Sequence, residues 1–345
     1  MLIAKEEFNR FIEQCAEEGL GGFEQVILTK EKGDEGLFLM KYSEEGDPAL
    51  TSFRPHDPLR NLFYFAREKV YPFKKKPDRR LVVGAKACDL RALNVVDKAL
   101  INEDFVDPVY QAWREQTYII SADCEEIGET CHCTLMDGKP YAEEFFDLNI
   151  ASYGDRYLIE SGSERGEELM ELIKKSSSLE GVSTAARERV DRNRHNVIER
   201  LEHQNEEFDY GPGYKRMRKV ALDHWVASQD KCVGCGACTN ICPTCYCLIL
   251  NDESIGDKFV KVRSTDSCQL HGYSLMAGGD TPRPKMRDRF RNRYLCKFDY
   301  MQKNFDEYGC VGCGRCIDAC PGEIDLREVV ATILASPIQS SRSPS

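Results

Sequence analysis

No stretch of the sequence reaches the roughly eighteen apolar residues of a membrane-spanning helix. Residues 1–7 turn to charge too early for a secretory signal, so the expected location is the cytoplasm. Basic residues are in deficit: 47 Lys and Arg against 58 Asp and Glu leave a formal net charge of −11. Nucleic acid is a poor partner for such a chain, because phosphate binding needs a basic face. No Gly-x-Gly-x-x-Gly follows a strand-like stretch, and no acid/base or nucleophile constellation stands out, so no active site of its own is expected. Cysteine is missing from residues 134–231. That last gap matters most, because elsewhere the chain is rich in it.

Seventeen cysteines are present, five before residue 134 and twelve between 232 and 320. A disulfide framework belongs to small secreted domains, whereas this chain is 345 residues long and carries metal-type spacings. Cys232-x2-Cys235-x2-Cys238-x3-Cys242-Pro243 recurs as Cys310-x2-Cys313-x2-Cys316-x3-Cys320-Pro321. This is the ligand run of a bacterial two-cluster ferredoxin, in which three close thiolates hold one [4Fe-4S] cube and the fourth reaches the other. Cys232, Cys235, Cys238 and Cys320 are thus assigned to one cube, and Cys310, Cys313, Cys316 and Cys242 to its neighbour. Structural zinc closes with four ligands and has no use for a repeated crossover. Gly234, Gly236, Gly312 and Gly314 are expected to let backbone N–H groups approach the cluster sulfides.

Ahead of this motif the pattern is α/β. Helix 5–18 and strands 25–29 and 36–42 precede a packed connection over 53–65. Lys74, Lys75 and Lys76 with Arg79 and Arg80 read as a solvated loop. Strand 81–84 leads to Ala87-Cys88-Asp89, where Asp89 can cap a helix bearing Leu90, Leu93, Val96 and Leu100. Strand 117–121 runs into Cys124, followed by Cys131 and Cys133. If the two strands are parallel neighbours, these four thiols meet at the carboxyl edge of a sheet, where α/β folds place ligands. They could bind a third cluster or remain buried free thiols. His132 reads as an imidazole at the surface or beside the ligands.

Strands at 145–150 and 157–159 and a helix at 164–175 carry no chemistry. A charged helix over 185–207 has a thin stripe of Val190, Val197, Ile198 and Leu201, suiting a strut or docking face. Gly211-Pro212-Gly213 marks a domain boundary. The expected fold is α+β. An N-terminal α/β-type cluster-binding domain (1–213) precedes a 2[4Fe-4S] ferredoxin-like domain (214–334) with a long insertion (243–309), and 335–345 form a disordered tail. In or around that insertion, Cys245, Cys247, Cys268 and Cys296 could bind a fourth cluster, form a redox pair or be inert. Arg283, Lys285, Arg287, Arg289, Arg291 and Arg293 form either a solvated face or a counter-charge to clusters or an acidic partner.

Several of these motifs together carry a family resemblance. They are Ala87-Cys88-Asp89, Cys124 with Cys131-His132-Cys133, Cys242-Pro243-Thr244-Cys245-Tyr246-Cys247, Asp266-Ser267-Cys268-Gln269, Met276-Ala277-Gly278-Gly279, the stretch from Arg287 to Cys296, and the final Cys-Val-Gly-Cys-Gly-Arg-Cys. The chain resembles the iron–sulfur β subunits of cytosolic sulfhydrogenases ([NiFe] hydrogenases) and the related iron–sulfur subunits of anaerobic sulfite reductases. The resemblance implies an electron-transfer subunit between a flavin subunit that handles NAD(P)H and a catalytic module of hydrogenase, sulfite reductase or heterodisulfide reductase type. It also implies that the N-terminal cysteines ligate a cluster. An iron–sulfur redox sensor is the alternative function, though sensors typically pair one labile cluster with a DNA- or partner-binding module.

Overall fold

The computed structural model describes residues 1–72, 76–208, 210 and 213–338. Its N-terminal part runs β1 (Leu2–Ala4), α1 (Lys5–Glu17), β2 (Gln25–Glu31), β3 (Leu37–Lys41), β4 (Asp47–Pro48), β5 (Arg67–Tyr71) and β6 (Arg80–Ala85). It continues through α2 (Ala87–Leu100), α3 (Pro108–Glu115), β7 (Thr117–Ala122), β8 (Leu148–Tyr153), β9 (Arg156–Ser161), α4 (Glu164–Ser176) and α5 (Thr184–Gln204). Leu81, Val82 and Val83 on β6 and Ile119 and Ile120 on β7 are buried on both faces of the sheet, as aliphatic runs in the middle of a parallel sheet must be. Accordingly β2, β6, β7 and β8 pair in parallel, and antiparallel strands flank them to give the order β1-β9-β8-β7-β6-β2-β3, with β4 on β2. One face is sealed by Phe8, Phe11 and Ile12 of α1 with Leu169 and Ile173 of α4, the other by Leu90, Leu93 and Val96 of α2. Cys15 is a core residue of the first face, its thiol pushed up to about 12 by burial.

The remainder comprises α6 (Leu222–Ser228), α7 (Ala237–Asn240), a hairpin of β10 (Leu248–Ile255) and β11 (Lys258–Thr265), and α8 (Met286–Leu295). The last continues through a π turn at Cys296–Tyr300 into α9 (Met301–Phe305), followed by α10 (Arg315–Asp318) and α11 (Leu326–Ala335). Trp225, Tyr294, Phe298 and Val330 centre a second core. β5 adds to the hairpin as a third strand, antiparallel to β11, so a ribbon from before residue 213 completes a sheet of the insertion. Arg263 of β11 is buried under that junction, paired with Glu68 and Asp107 and lying 4.3 Å from the Tyr64 ring centre. Among the described residues no helix is long and apolar enough to cross a membrane.

Some local expectations are corrected. Arg80 is buried against the Trp113 ring at 4.1 Å and Arg79 lies 4.6 Å from that of Tyr118, so cation–π packing rather than solvent holds them. Lys74, Lys75, Gly211 and Pro212 lie outside the described residues. The segment after 335 does not begin as a free tail: Ser336 is buried and Ile338 bridges Val220, while 339–345 lie outside the described residues. The strand expected at 145–150 begins at Leu148, because the Asp147 carboxylate instead accepts from the Ile119 amide.

Candidate metal centres

β6 and β7 are adjacent and parallel, and Cys88 and Cys124 follow their carboxyl ends. The loop after β7 turns back through Gly128, whose carbonyl accepts the Cys131 amide at 3.0 Å, and brings Cys131 and Cys133 to the same place. The four thiols line one cavity together with Phe53, Ile127 and Leu201. The α5 helix closes it: Gln204 and Asn205 donate to the Cys131 carbonyl at 2.9 and 3.0 Å, and Arg194 pairs with Asp123 at 2.6 Å. From its thin apolar stripe, Val197 and Leu201 pack against Cys131 at this site, while Val190 packs on the sheet. Burial raises the thiols of Cys88 and Cys133 and pushes Cys124 up to about 11. Buried thiols of this kind stay protonated unless a bound metal supplies positive charge.

The two C-terminal runs fold alike. Gly234 and Gly236 in the first, and Gly312 and Gly314 in the second, all take left-handed backbone with φ between 67° and 80°. Each run then enters a one-turn helix, α7 or α10. A cavity in the first run is lined by Cys232, Cys235 and Cys238 with Cys320 from the second, beneath Phe290, Tyr294 and Leu326. In the second, burial raises Cys316 and pushes Cys310 up to about 12, with the charges of Cys313 and Cys242 adding to it. Thus Cys320 faces the first trio and Cys242 the second. The Gly234 and Gly312 amides donate toward Cys232 and Cys310, lowering each thiol against the effect of burial. Among the described residues, no group of three or more His, Cys, Asp or Glu side chains is arranged for a single metal ion.

The second run lies directly against the N-terminal site. Gly312 and Cys313 help line the cavity of Cys88, Cys124, Cys131 and Cys133. The His132 amide donates to the Gly312 carbonyl at 2.8 Å, and a Cβ on Gly312 would collide with the His132 carbonyl and the Cys133 backbone. At this position close backbone approach, in addition to the left-handed turn, demands glycine. Asp89 does not cap α2, whose N-cap is Lys86; its carboxylate takes Arg315 of α10 at 2.7 and 2.9 Å, with both groups buried. Arg54 Nε donates to the Cys313 carbonyl at 2.6 Å and its head pairs with Asp318. His132 is fully buried beside the thiols rather than at the surface, its Nδ1 at 2.9 Å from the Thr130 carbonyl and its Nε2 3.9 Å from Cys310 Sγ; burial lowers it to about 4.

The basic run divides. Arg289 is buried and ties α8 to the Gln269 carbonyl at 3.1 Å, while Arg291 donates to the Arg218 carbonyl at 2.6 Å. Arg293 is buried, and although burial opposes its charge, Cys238, Cys316 and Cys242 hold it protonated. One turn on, Lys297 is held in the same way by Cys242, Cys245 and Cys296. The counter-charge role therefore falls to Arg293 and to Lys297, which the sequence reading missed. Arg54 and Arg315 were also missed. Arg315 had left a sign: it stands where the first run has Ala237, the one residue between the closely spaced cysteines of the second run that departs from the first.

Residues 231–324 match the family described as "4Fe-4S dicluster domain". The chain carries a 4Fe-4S dicluster domain. It is also 28% identical over 283 residues to sulfhydrogenase 2 subunit beta of Pyrococcus furiosus, a similarity covering 79% of this chain and 81% of that protein. With α+β architecture and this domain, it is an iron–sulfur protein of the electron-transfer class.

Proposed function

We propose that the chain is an iron–sulfur relay subunit of a multisubunit oxidoreductase. It would carry electrons between a flavin subunit that handles NAD(P)H and a catalytic module of hydrogenase, sulfite reductase or heterodisulfide reductase type. Cys232, Cys235, Cys238 and Cys320 hold one [4Fe-4S] cluster, Cys310, Cys313, Cys316 and Cys242 a second, and Cys88, Cys124, Cys131 and Cys133 a third. The clusters supply one-electron transfer over a range of potentials from about −700 to +450 mV. The residues around them exclude water, fix spacing and set charge. The buried Arg293 and Lys297 offset thiolate charge and favour the reduced state, while Arg315 with Asp89 and Arg54 with Asp318 lock the N-terminal site onto the second run.

The observation that carries this reading is the shared wall: Cys313 of the second run also lines the N-terminal cavity. Three contiguous thiol sites make a path across the molecule rather than isolated centres. The similarity to a sulfhydrogenase β subunit supports the complex. The test is reduction by NADPH or NADH under anaerobic conditions. The full chain alone should stay oxidised and become reduced when the flavoprotein that co-purifies with it is added. Oxidation of NADH by the chain alone, or no flavoprotein partner in anaerobic co-purification, would overturn the proposal.

A further inference from the structure

Cys245, Cys247, Cys268 and Cys296 lie outside the three sites above, yet separate elements carry them to one place. Leu248 pairs with Thr265 at the open end of the β10–β11 hairpin, and the Asp266 amide donates to the Cys247 carbonyl at 2.9 Å. The residues just before β10 and just after β11, Cys247 and Cys268, are therefore neighbours. α8 is fastened to the same end: Gln269 Nε2 donates to the Arg289 carbonyl at 2.9 Å, and Arg289 returns a bond to the Gln269 carbonyl. Two turns beyond Arg289 the helix delivers Cys296. Lys297 Nζ then donates to Thr244 Oγ1 at 2.7 Å, which joins this turn to the segment of Cys245. From the N-terminal domain, Arg60 binds the Cys245 carbonyl and Tyr64 Oη donates to that of Tyr246 at 2.9 Å. The loop is held from both sides.

The thiols sense one another. Cys247, Cys268 and Cys296 lie within electrostatic reach of one another, and Cys296 within reach of Cys245. We propose that these four thiols hold a further [4Fe-4S] cluster, a branch beside both ferredoxin-type runs. The inference rests on reading the chain as a cluster relay. The donor set is all thiolate, which selects iron–sulfur clusters over hard cations. Cys245-x-Cys247 spacing suits a cluster because adjacent thiols can take different irons. Lys297, buried one residue after Cys296 and bonded to Thr244 one residue before Cys245, places a cation beside the group. A dithiol switch fits less well: Cys245 is hydrogen-bonded to Cys242, and a disulfide there would strip the second run of its crossover ligand. Cys268 also acts on Cys238 of the first run, so the site adjoins both runs and adds a one-electron stop without any bond being made or broken.

The test uses the full chain purified and assayed anaerobically, with iron and acid-labile sulfide counts and the paramagnetic resonance of dithionite-reduced protein. The expected count is about sixteen of each. Cys247→Ala with Cys268→Ala should fall to about twelve and lose one spectral component, while Cys15→Ala, a core thiol away from every site, stays at about sixteen. A parent count of about twelve that falls to about eight in Cys88→Ala/Cys124→Ala overturns this inference and leaves the relay reading standing. A parent count of about eight overturns both. Should the double variant fail to fold, the parent count decides, and Cys268→Ser, which keeps an oxygen ligand, should shift one component without loss of iron.

Discussion

The two cysteine runs share the sequence Cys-Val-Gly-Cys-Gly-x-Cys and the same backbone turn, yet they occupy opposite environments. Val233 of the first is 66% exposed, whereas Val311, its twin, is 3% exposed. Cys235 is exposed and Cys313 buried. A Cβ on Gly234 would meet the mobile end of Met286 at 3.2 Å; on Gly312 it would strike backbone. One residue accounts for much of the difference. Where the first run has Ala237, the second has Arg315, and that guanidinium anchors it to Asp89 beside Cys88. The same ligand loop is thus a surface-facing terminus in one copy and an internal junction in the other. In the proposed relay, electrons would leave or enter the chain at the first run and pass inward through the second.

Pairs of substitutions at matched positions break or sharpen this contrast. The largest effect should come from Arg315→Ala, which strands a buried carboxylate. It should cost about 3–5 kcal/mol in anaerobic denaturant unfolding and release iron from the N-terminal site, whereas Asp89→Asn with Arg315→Met should restore much of the loss. Next, Val311→Asp should cost about 3 kcal/mol by burying an unpaired charge, while Val233→Asp stays within about 0.5 kcal/mol. Equal losses at the two valines would mean that the two runs are equally covered. Gly312→Ala should cost roughly 2–3 kcal/mol, since clash adds to left-handed strain, against about 1 kcal/mol for Gly234→Ala, where a side chain can yield. The smallest effect on folding concerns solvent access. A water-soluble iron chelator should remove the first run's iron several-fold faster than the second's, read from the decay of visible absorbance, and Cys235→Ala, which removes the ligand, should abolish the fast phase.

The sequence was legible where the physics is local. Apolar runs and their spacing located the strands that lead to Cys88 and Cys124, because a buried parallel strand must be aliphatic on both faces. Cysteine spacing grouped thiols on a single loop because such a loop has a fixed reach. It was less legible where one charged group acts at long range. Asp89 read as a helix cap, since acid near a helix start usually is one, but Arg315, 226 residues away, took its carboxylate. The basic stretch around Arg289 and Arg293 read equally well as a solvated face or as counter-charge to clusters or an acidic partner, because periodicity does not say what covers a helix. His132 followed the same rule: its place between two cysteines allowed either the surface or a position beside the ligands, and packing against the second run decided for the latter.

By itself, then, the sequence determined which thiols travel together on one loop, the α+β alternation ahead of them, and the doubling of a cluster-binding run. These depend on residue spacing and on side-chain chemistry. Tertiary structure decided the order of the sites: that Cys313 shares a wall with Cys88 and Cys124, that β5 completes the hairpin of the insertion, and that Arg293 and Lys297 rather than the whole basic run face the thiols. Those choices rest on packing between segments far apart in the chain, where burial, close backbone approach and paired charge outweigh any local preference.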